Sequence, residues 1–147
     1  MQQREFIRKE LEALTRIPAR TIQYYTDRQL LYPDIDAPTG RGTRRKYSRK
    51  NLFELFLIQQ LSHNNIKLDV IRYIIKTLRK SHSDIYWDNS KDVPKSFGLM
   101  IGDPHIQGIR LYLNPGVNSI TLPSHYRSAL IINIDTLIKR FLDALGE

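Results

Sequence analysis

Charge, glycine and proline are distributed unevenly along the 147 residues, and this distribution is the strongest constraint on the fold. Residues 1–81 carry 17 Lys and Arg against 8 Asp and Glu, a net charge of +9. Residues 82–147 carry 6 against 7, a net charge of −1, and hold five of the seven glycines and four of the seven prolines. The sequence therefore predicts a basic, helical domain over residues 1–81 and a turn-rich, nearly neutral domain over residues 82–147.

Composition excludes several classes of protein. The absence of cysteine excludes disulfide frameworks, Cys-type zinc sites and thiol nucleophiles. No stretch approaches the roughly 18 consecutive apolar residues of a membrane span, and Met1–Glu10 lacks the apolar core of a signal peptide. The four histidines, at positions 63, 82, 105 and 125, lack metal-ligand spacing. We therefore expect a cytoplasmic protein with no metal and no cofactor.

Two short helices are predicted at the start of the chain. Phe6, Ile7, Leu11 and Leu14 recur at helical spacing and predict an amphipathic helix over Glu5–Leu14. Residues 15–17 interrupt this pattern, and Pro18 favours the first turn of a second helix, which runs to Asp27 or Arg28. This is the outline of a helix-turn-helix, whose second helix can enter the major groove of DNA.

A basic hairpin is predicted next, over residues 31–47, and we call it the wing hairpin. Gly40 and Gly42 can supply the positive φ angles of its tip. Residues 41–50 contain six basic side chains and no acidic one, a charge density suited to a wing that lies along a phosphate backbone.

Two further helices follow the wing hairpin. Ser48 is a good N-cap for a helix over Arg49–His63. A last helix over Leu68–Arg79 has one apolar face, and the basic side chains near it are expected to be solvated. The apolar residues are Ile71, Ile74, Ile75 and Leu78, and the basic ones are Arg72, Lys76, Arg79 and Lys80.

Several segments of this half match a known pattern in order and spacing. They are Leu11–Thr15 followed by Ile17, the run Arg20-Thr21-Ile22-Gln23-Tyr24-Tyr25, the pair Leu30-Leu31, the wing residues Arg45, Tyr47 and Ser48, and the segment Ile66–Ile75. Together they resemble the DNA-binding domain of the MerR family of winged helix-turn-helix transcription regulators. The resemblance covers about residues 10–78, or half of the chain.

The resemblance implies a set of DNA-binding residues, and physical chemistry supports it. Gln23 near the start of the second helix can reach base edges, where glutamine pairs with adenine. Tyr24 is assigned to DNA and Tyr25 to packing, since adjacent helical positions cannot face the same way. Tyr47 has the aromatic role of the wing and is expected to be partly core. The predicted set is Arg20, Thr21, Gln23, Tyr24 and Arg28 from the second helix, and Arg41, Arg44, Arg45, Lys46 and Tyr47 from the wing hairpin.

The chain departs from the family pattern at three positions. Arg16 stands where the family commonly has glycine, so a left-handed backbone there would cost about 1 kcal/mol. Pro18 and Lys67 stand in place of polar helix caps. These departures shift the expected helix boundaries by about a residue and leave the fold unchanged.

The C-terminal half is predicted to form a small antiparallel sheet with one helix. Four strands are expected, over Phe97–Ile101, Ile106–Leu113, Ile120–Pro123 and, well buried, Tyr126–Ile134, with a turn over residues 114–118. Asp135 is the expected cap of a final helix that carries Leu137, Ile138, Phe141, Leu142 and Leu145. The predicted fold class is α+β, a four-helix winged helix-turn-helix followed by this sheet and helix.

The same half is the expected dimerisation or effector domain. Pro94, Gly98, Gly102 and Pro104 interrupt any coiled-coil pattern, and about 60 residues make a marginal core, so a homodimer through residues 97–147 is predicted. The aromatic residues Tyr86, Trp87, Phe97 and Tyr112 either line an effector pocket or belong to the core. Asp103 and His105 lack a nucleophile or a third ligand, so no enzyme is expected.

The leading hypothesis is a homodimeric, sequence-specific transcription regulator that binds an inverted repeat in double-stranded DNA. Its C-terminal domain would take a small-molecule or protein effector, with no role for a membrane. The alternative is a phage-type DNA architectural or packaging protein, similar to an excisionase or a terminase small subunit. Such a protein uses the same winged module, and its C-terminal half would bind a partner protein.

Overall fold

The structure is a computed structural model that describes residues 4–35, 44–81, 97–102, 111–115 and 129–147. These ranges hold five helices and five short strands, arranged as a two-stranded and a three-stranded antiparallel sheet. The chain divides into two units. The first, which we call the helical unit, consists of Met1–Asp88 together with Phe141–Glu147, and the second consists of Asn89–Arg140. The predicted combination of helices with a small antiparallel sheet is confirmed, while the tip of the wing hairpin lies outside the described residues.

The first helix begins later than its periodicity predicts. Strand β1 (Phe6–Ile7) pairs antiparallel with β2 (Lys46–Tyr47), which places Phe6 opposite Tyr47. The predicted start at Glu5 is therefore wrong, and helix α1 spans Arg8–Thr15. Phe6 and Tyr47 are both buried, so tertiary packing holds this segment in a strand despite its helical spacing. The pairing fixes the base of the wing hairpin against the start of α1.

The turn between the first two helices contains the predicted strained residue. Arg16 caps α1 in the left-handed conformation, with φ 61° and ψ 15°, which confirms the expectation at the position of the family's glycine. Pro18 is the N-cap of helix α2 (Ala19–Asp27) and lies outside the first turn in which it was expected. Because Pro18 has no side-chain acceptor, the carboxylate of Glu12 accepts a hydrogen bond from the Ala19 N–H at 3.0 Å.

Helices α3 (Arg49–His63) and α4 (Leu68–Ser81) form the centre of the first unit. Ser48 caps α3 as predicted: its hydroxyl accepts from the Asn51 N–H at 3.2 Å, and Asn51 Oδ1 accepts from the Ser48 N–H at 3.0 Å. Every residue from 51 to 58 is buried, as expected for a helix enclosed on all sides. The predicted apolar face of α4 is buried as well.

The last residues of the chain pack against α3 within the first unit. The ring of Phe141 lies edge-on to Phe53, with centroids 5.9 Å apart, and the Arg49 guanidinium lies 5.0 Å from the centroid of the same ring. Arg49 also donates to both carboxylate oxygens of Glu147, at 2.6 Å each. The sequence assigned Phe141–Glu147 to the C-terminal domain, whereas these residues group with the helical unit.

The second unit contains a three-stranded antiparallel sheet in the order β4-β3-β5. Strand β3 spans Phe97–Gly102, β4 spans Leu111–Pro115 and β5 spans Ala129–Asn133. Strand β4 corresponds to the end of the predicted strand Ile106–Leu113. It continues to Pro115, so it includes the first two residues of the turn predicted over residues 114–118. The predicted strand Ile120–Pro123 and the rest of that turn lie outside the described residues.

Two expectations for the end of this unit are wrong. Strand β5 was expected to be well buried, but Ile131 is 48% exposed beside the buried Ile132, because successive side chains of a strand point to opposite faces. Helix α5 spans Ile134–Leu145, so Asp135 lies inside it. Asn133 takes the capping role, since its Oδ1 accepts from the Thr136 N–H at 3.2 Å.

Candidate nucleic-acid interface

Helix α2 presents one polar face and one buried face. Arg20, Gln23, Tyr24, Asp27 and Arg28 follow the spacing i, i+3, i+4, i+7 and i+8, so they share one side of the helix. All five are exposed or partly exposed, whereas Ile22 and Tyr25 on the other side are buried. Thr21, the remaining predicted site residue of this helix, is partly buried at its flank. The polar face therefore combines hydrogen-bonding groups with positive charge.

The two adjacent tyrosines separate as predicted. Tyr24 is 41% exposed and Tyr25 only 9% exposed. The Arg28 guanidinium lies 5.4 Å from the centroid of the Tyr24 ring, a cation–π contact that orders both side chains on the surface. Tyr25 is thus a packing residue, and contact between Tyr24 and DNA stays a prediction.

The described base of the wing hairpin brings positive charge next to α2. Arg44 is exposed, Arg45 is partly buried, and Lys46 forms an ion pair with Glu5 at 2.9 Å. We call residues 44–46 the basic segment. Arg41, the fourth predicted phosphate contact of the wing, lies outside the described residues.

Tyr47 is more buried than predicted, since the sequence placed it only partly in the core. Its side chain is fully enclosed, and its hydroxyl lies 3.1 Å from the hydroxyl of Thr26 in α2. Because this hydrogen bond joins β2 to α2, Tyr47 fixes the position of the basic segment relative to the polar face of α2.

A chain of hydrogen bonds crosses this surface from α1 to the basic segment, and we call it the interfacial chain. Arg8 donates to Gln23 Oε1, Gln23 Nε2 donates to Asp27 Oδ1 at 2.7 Å, and Arg45 Nη1 donates to the same Asp27 oxygen at 3.0 Å. The hydrogen bonds from Gln23 and Arg45 hold the pKa of Asp27 below its ordinary value, so its carboxylate is ionised at neutral pH.

A cleft of about 670 Å³ opens beside the interfacial chain, and we call it the basic cleft. Its walls come from β1, the start of α1, α2 and the basic segment. Four cations face one carboxylate among the lining residues, which are Ile7, Arg8, Lys9, Glu12, Ala19, Gln23, Arg44, Arg45 and Tyr47. A concave surface with this excess of positive charge attracts an anion such as a backbone phosphate.

An ionic cluster that includes the buried Glu54 lies at the two ends of the wing hairpin, and we call it the Arg79 cluster. Arg79 donates to both carboxylate oxygens of the fully buried Glu54 and, at 2.9 Å, to Asp34 Oδ1. Asp34 Oδ2 in turn accepts from the Ser48 hydroxyl at 2.8 Å, and the Asp34 N–H donates to Asn51 Oδ1 at 3.1 Å. Asp34 and Ser48 lie on either side of residues 35–47, so the cluster joins the two ends of this segment.

Two arginines of α4 have structural roles that correct the expectation of solvated side chains. Arg79 carries the cluster just described. Arg72 donates from Nε and Nη2 to the carbonyl of Arg28, at 3.0 and 2.9 Å, and from Nη1 to Asp69 at 2.8 Å. Arg72 therefore satisfies a carbonyl beyond the end of α2 and holds that end against α4.

Sequence reasoning missed Arg8, Lys9 and Asp27 as members of this surface. Asp27 had a usable signal, because it lies four residues after Gln23 and seven after Arg20 on the same helical face. Arg8 and Lys9 had none, since their place in the basic cleft depends on the pairing of β1 with β2.

The described residues hold neither a metal-binding cluster nor a membrane-spanning helix. In these ranges, no group of three or more His, Cys, Asp or Glu side chains is arranged to hold a metal ion. No described helix has both the length and the apolar character needed to cross a bilayer.

Comparison with known proteins identifies the helical unit. Residues 8–78 match the model of the MerR HTH family of regulatory proteins. No curated protein matches the chain. The matched range begins with α1, contains α2, β2 and α3, and ends within α4. Residues 8–78 are therefore a MerR-family helix-turn-helix DNA-binding domain.

Proposed function

We propose that this chain is a sequence-specific transcription regulator that binds double-stranded DNA with the polar face of α2 in the major groove. One observation carries the proposal: Gln23 of the polar face lines the same cleft as Arg44 and Arg45 of the basic segment, and the interfacial chain joins Gln23 to Arg45. A major groove about 12 Å wide admits one α-helix, and the cations beside the helix then meet the flanking phosphates.

The proposed roles follow from exposure and charge. Arg20 and Gln23 contact base edges, and Tyr24 with Arg28 lies at the edge of the groove. Arg44, Arg45 and Lys46 contact phosphates, as does Arg41 from the wing hairpin. Arg20 and Arg44 are exposed and make no ion pair or hydrogen bond with another described residue, so neither has an internal partner to release. Base contacts from α2 therefore set the sequence specificity, and phosphate contacts from the wing hairpin supply affinity for any DNA.

We also propose that the two predicted domains have separate roles, with DNA binding in residues 1–81. Residues 82–147, apart from Phe141–Glu147 that pack on α3, form a dimerisation domain that takes a small-molecule or protein effector. Two copies place their α2 helices on an inverted repeat. Of the four aromatic residues that the sequence suggests for an effector pocket, Tyr86 and Trp87 lie outside the described residues.

Selection from fragmented genomic DNA with the purified full chain tests the proposal. We expect enrichment of a compact inverted repeat, because a symmetric dimer presents two copies of α2. Light scattering during size-exclusion chromatography is expected to give the mass of a dimer at micromolar concentration. Enrichment without a defined motif would contradict the regulator and favour the architectural role, and a monomer both alone and on DNA would contradict the dimer.

The variant Gln23→Ala separates base contact from phosphate contact. Loss of one bidentate contact to a base costs about 1–3 kcal/mol of discrimination, so preference at one base pair of each half-site is expected to relax. Affinity for a random duplex is expected to change little. Arg140→Ala, at an exposed position of α5, is the control. An unchanged selected motif with Gln23→Ala would remove Gln23 from the base contacts.

A further inference from the structure

Asp27 is a carboxylate on a surface that is otherwise suited to bind phosphate. Its side chain is 53% exposed and carries its negative charge beside Arg45, within the face that the proposed function places on DNA. Asp27 is also the last residue of α2, where the helix dipole disfavours an anion. Helix stability therefore does not account for an aspartate at this position.

Asp27 fixes the orientation of the Gln23 amide. A carboxylate only accepts hydrogen bonds and a guanidinium only donates them. Gln23 lies between the two, so its Nε2 points to Asp27 at 2.7 Å and its Oε1 points to Arg8. A flipped amide would place oxygen against oxygen and nitrogen against nitrogen and lose both bonds. The donor and the acceptor that a base meets are therefore set before DNA arrives.

Asp27 also restrains Arg45. The same Oδ1 atom that holds Gln23 accepts from Arg45 Nη1 at 3.0 Å. On any DNA, a phosphate contact by Arg45 competes with this ion pair, and the Asp27 charge repels the backbone. This cost is the same for every sequence, whereas only a matching base rewards the oriented amide of Gln23.

We propose that Asp27 is a specificity-determining residue: it orients Gln23 for one base and lowers the affinity for all other DNA. The inference rests on the proposed function, because it assigns α2 to the major groove. It adds that an acidic residue, by opposing the nucleic acid, raises the ratio of specific to non-specific binding.

The test compares Asp27→Asn with Asp143→Asn, which removes the same charge from an exposed position of α5. Binding to a fluorescent random 30-base-pair duplex is measured by anisotropy, and base preference by selection. We expect Asp27→Asn to bind the random duplex about fivefold more tightly, the factor for one unit charge acting across roughly 4 Å of water. Asparagine keeps an oxygen that can accept from Gln23 Nε2, so the orientation is tested with Asp27→Ala, which we expect to lose preference at the base pair that Gln23→Ala affects. Asp143→Asn is expected to show neither change.

Two results would overturn the inference while leaving the proposed function intact. They are random-duplex binding by Asp27→Asn that is unchanged or weaker, and a base preference of Asp27→Ala that remains as in the unmodified protein. Failure of the unmodified protein to bind any duplex, even at low salt, would instead remove the proposed function, and the inference with it. A Gln23→Ala, Asp27→Asn double variant completes the test, since it is expected to keep the tighter random binding and show no further loss of preference.

Discussion

Replacing Arg79 with methionine is expected to destabilise the helical unit strongly. The guanidinium donates to both oxygens of Glu54, whose side chain is completely buried, and it also donates to Asp34. Methionine keeps most of the side-chain length and removes the charge. The substitution therefore leaves a buried carboxylate whose one remaining side-chain donor among the described residues is Asn51, at 3.2 Å.

The expected loss is about 3–5 kcal/mol, the cost of removing one partner from a buried ion pair. Against a total stability of roughly 5–15 kcal/mol for a domain, such a loss is readily measured. Burial raises the pKa of Glu54, and the hydrogen bonds and charge of Arg79 limit the rise. Without Arg79 the pKa rises further, so folding then favours the protonated acid.

The sign of the pH dependence follows from this shift. An acid whose pKa is higher in the folded state stabilises the fold below its unfolded pKa, and that stability is lost as the pH rises through the folded value. The Arg79→Met defect is therefore expected to be smaller at pH 5 than at pH 8.

Urea denaturation followed by circular dichroism gives the free energy of unfolding at both pH values. The double variant Glu54→Gln, Arg79→Met is expected to recover much of the loss, because it removes the buried charge. A defect below about 1 kcal/mol, or one that grows as the pH falls, would refute the assignment of a buried ion pair.

Two other substitutions test the local structure. Arg16→Gly is expected to stabilise the domain by about 0.5–1 kcal/mol, because glycine adopts the observed φ of 61° without strain. Asn65→Gly, at φ 58°, is expected to gain less in the same urea titration, since asparagine tolerates this region, and an equal or larger gain would contradict the strain argument. Phe141→Ala is expected to cost about 3–5 kcal/mol, because its buried ring packs on Phe53. In a urea titration of the full chain, a loss below 1 kcal/mol would show that Phe141 does not contribute to the core around Phe53.

Local signals predicted much of the helical unit. The Ser48 cap and the apolar face of α4 each follow from residue types in one short pattern. The left-handed backbone at Arg16 follows instead from the resemblance, because the family commonly has glycine at this position. The polar face of α2 follows in the same way from helical spacing. Such features depend on neighbours within about one turn of helix.

Contacts between distant segments could not be predicted in this way. Phe6 and Ile7 have helical spacing, yet they form a strand because Lys46 and Tyr47 lie beside them. Arg79 lies off the apolar face of α4, so its position in the helix predicts a solvated side chain. Only the fold brings it to Glu54, which lies 25 residues earlier in the sequence. The basic cleft has the same origin, since its cations come from two segments that are 35 residues apart, Arg8 and Lys9 in one and Arg44 and Arg45 in the other.

The salt dependence of DNA binding by Arg45→Ala is the most direct test of the proposed DNA interface. Each phosphate contact contributes about 0.9 to the slope of log affinity against log salt concentration. Between 50 and 200 mM salt, Arg45→Ala is expected to bind a random duplex more weakly and with a slope flatter by about 0.9. Arg140→Ala is expected to keep the slope of the unmodified protein. An unchanged slope for Arg45→Ala would contradict a phosphate contact at the basic segment, and with it the proposed arrangement of α2 and the wing hairpin on DNA.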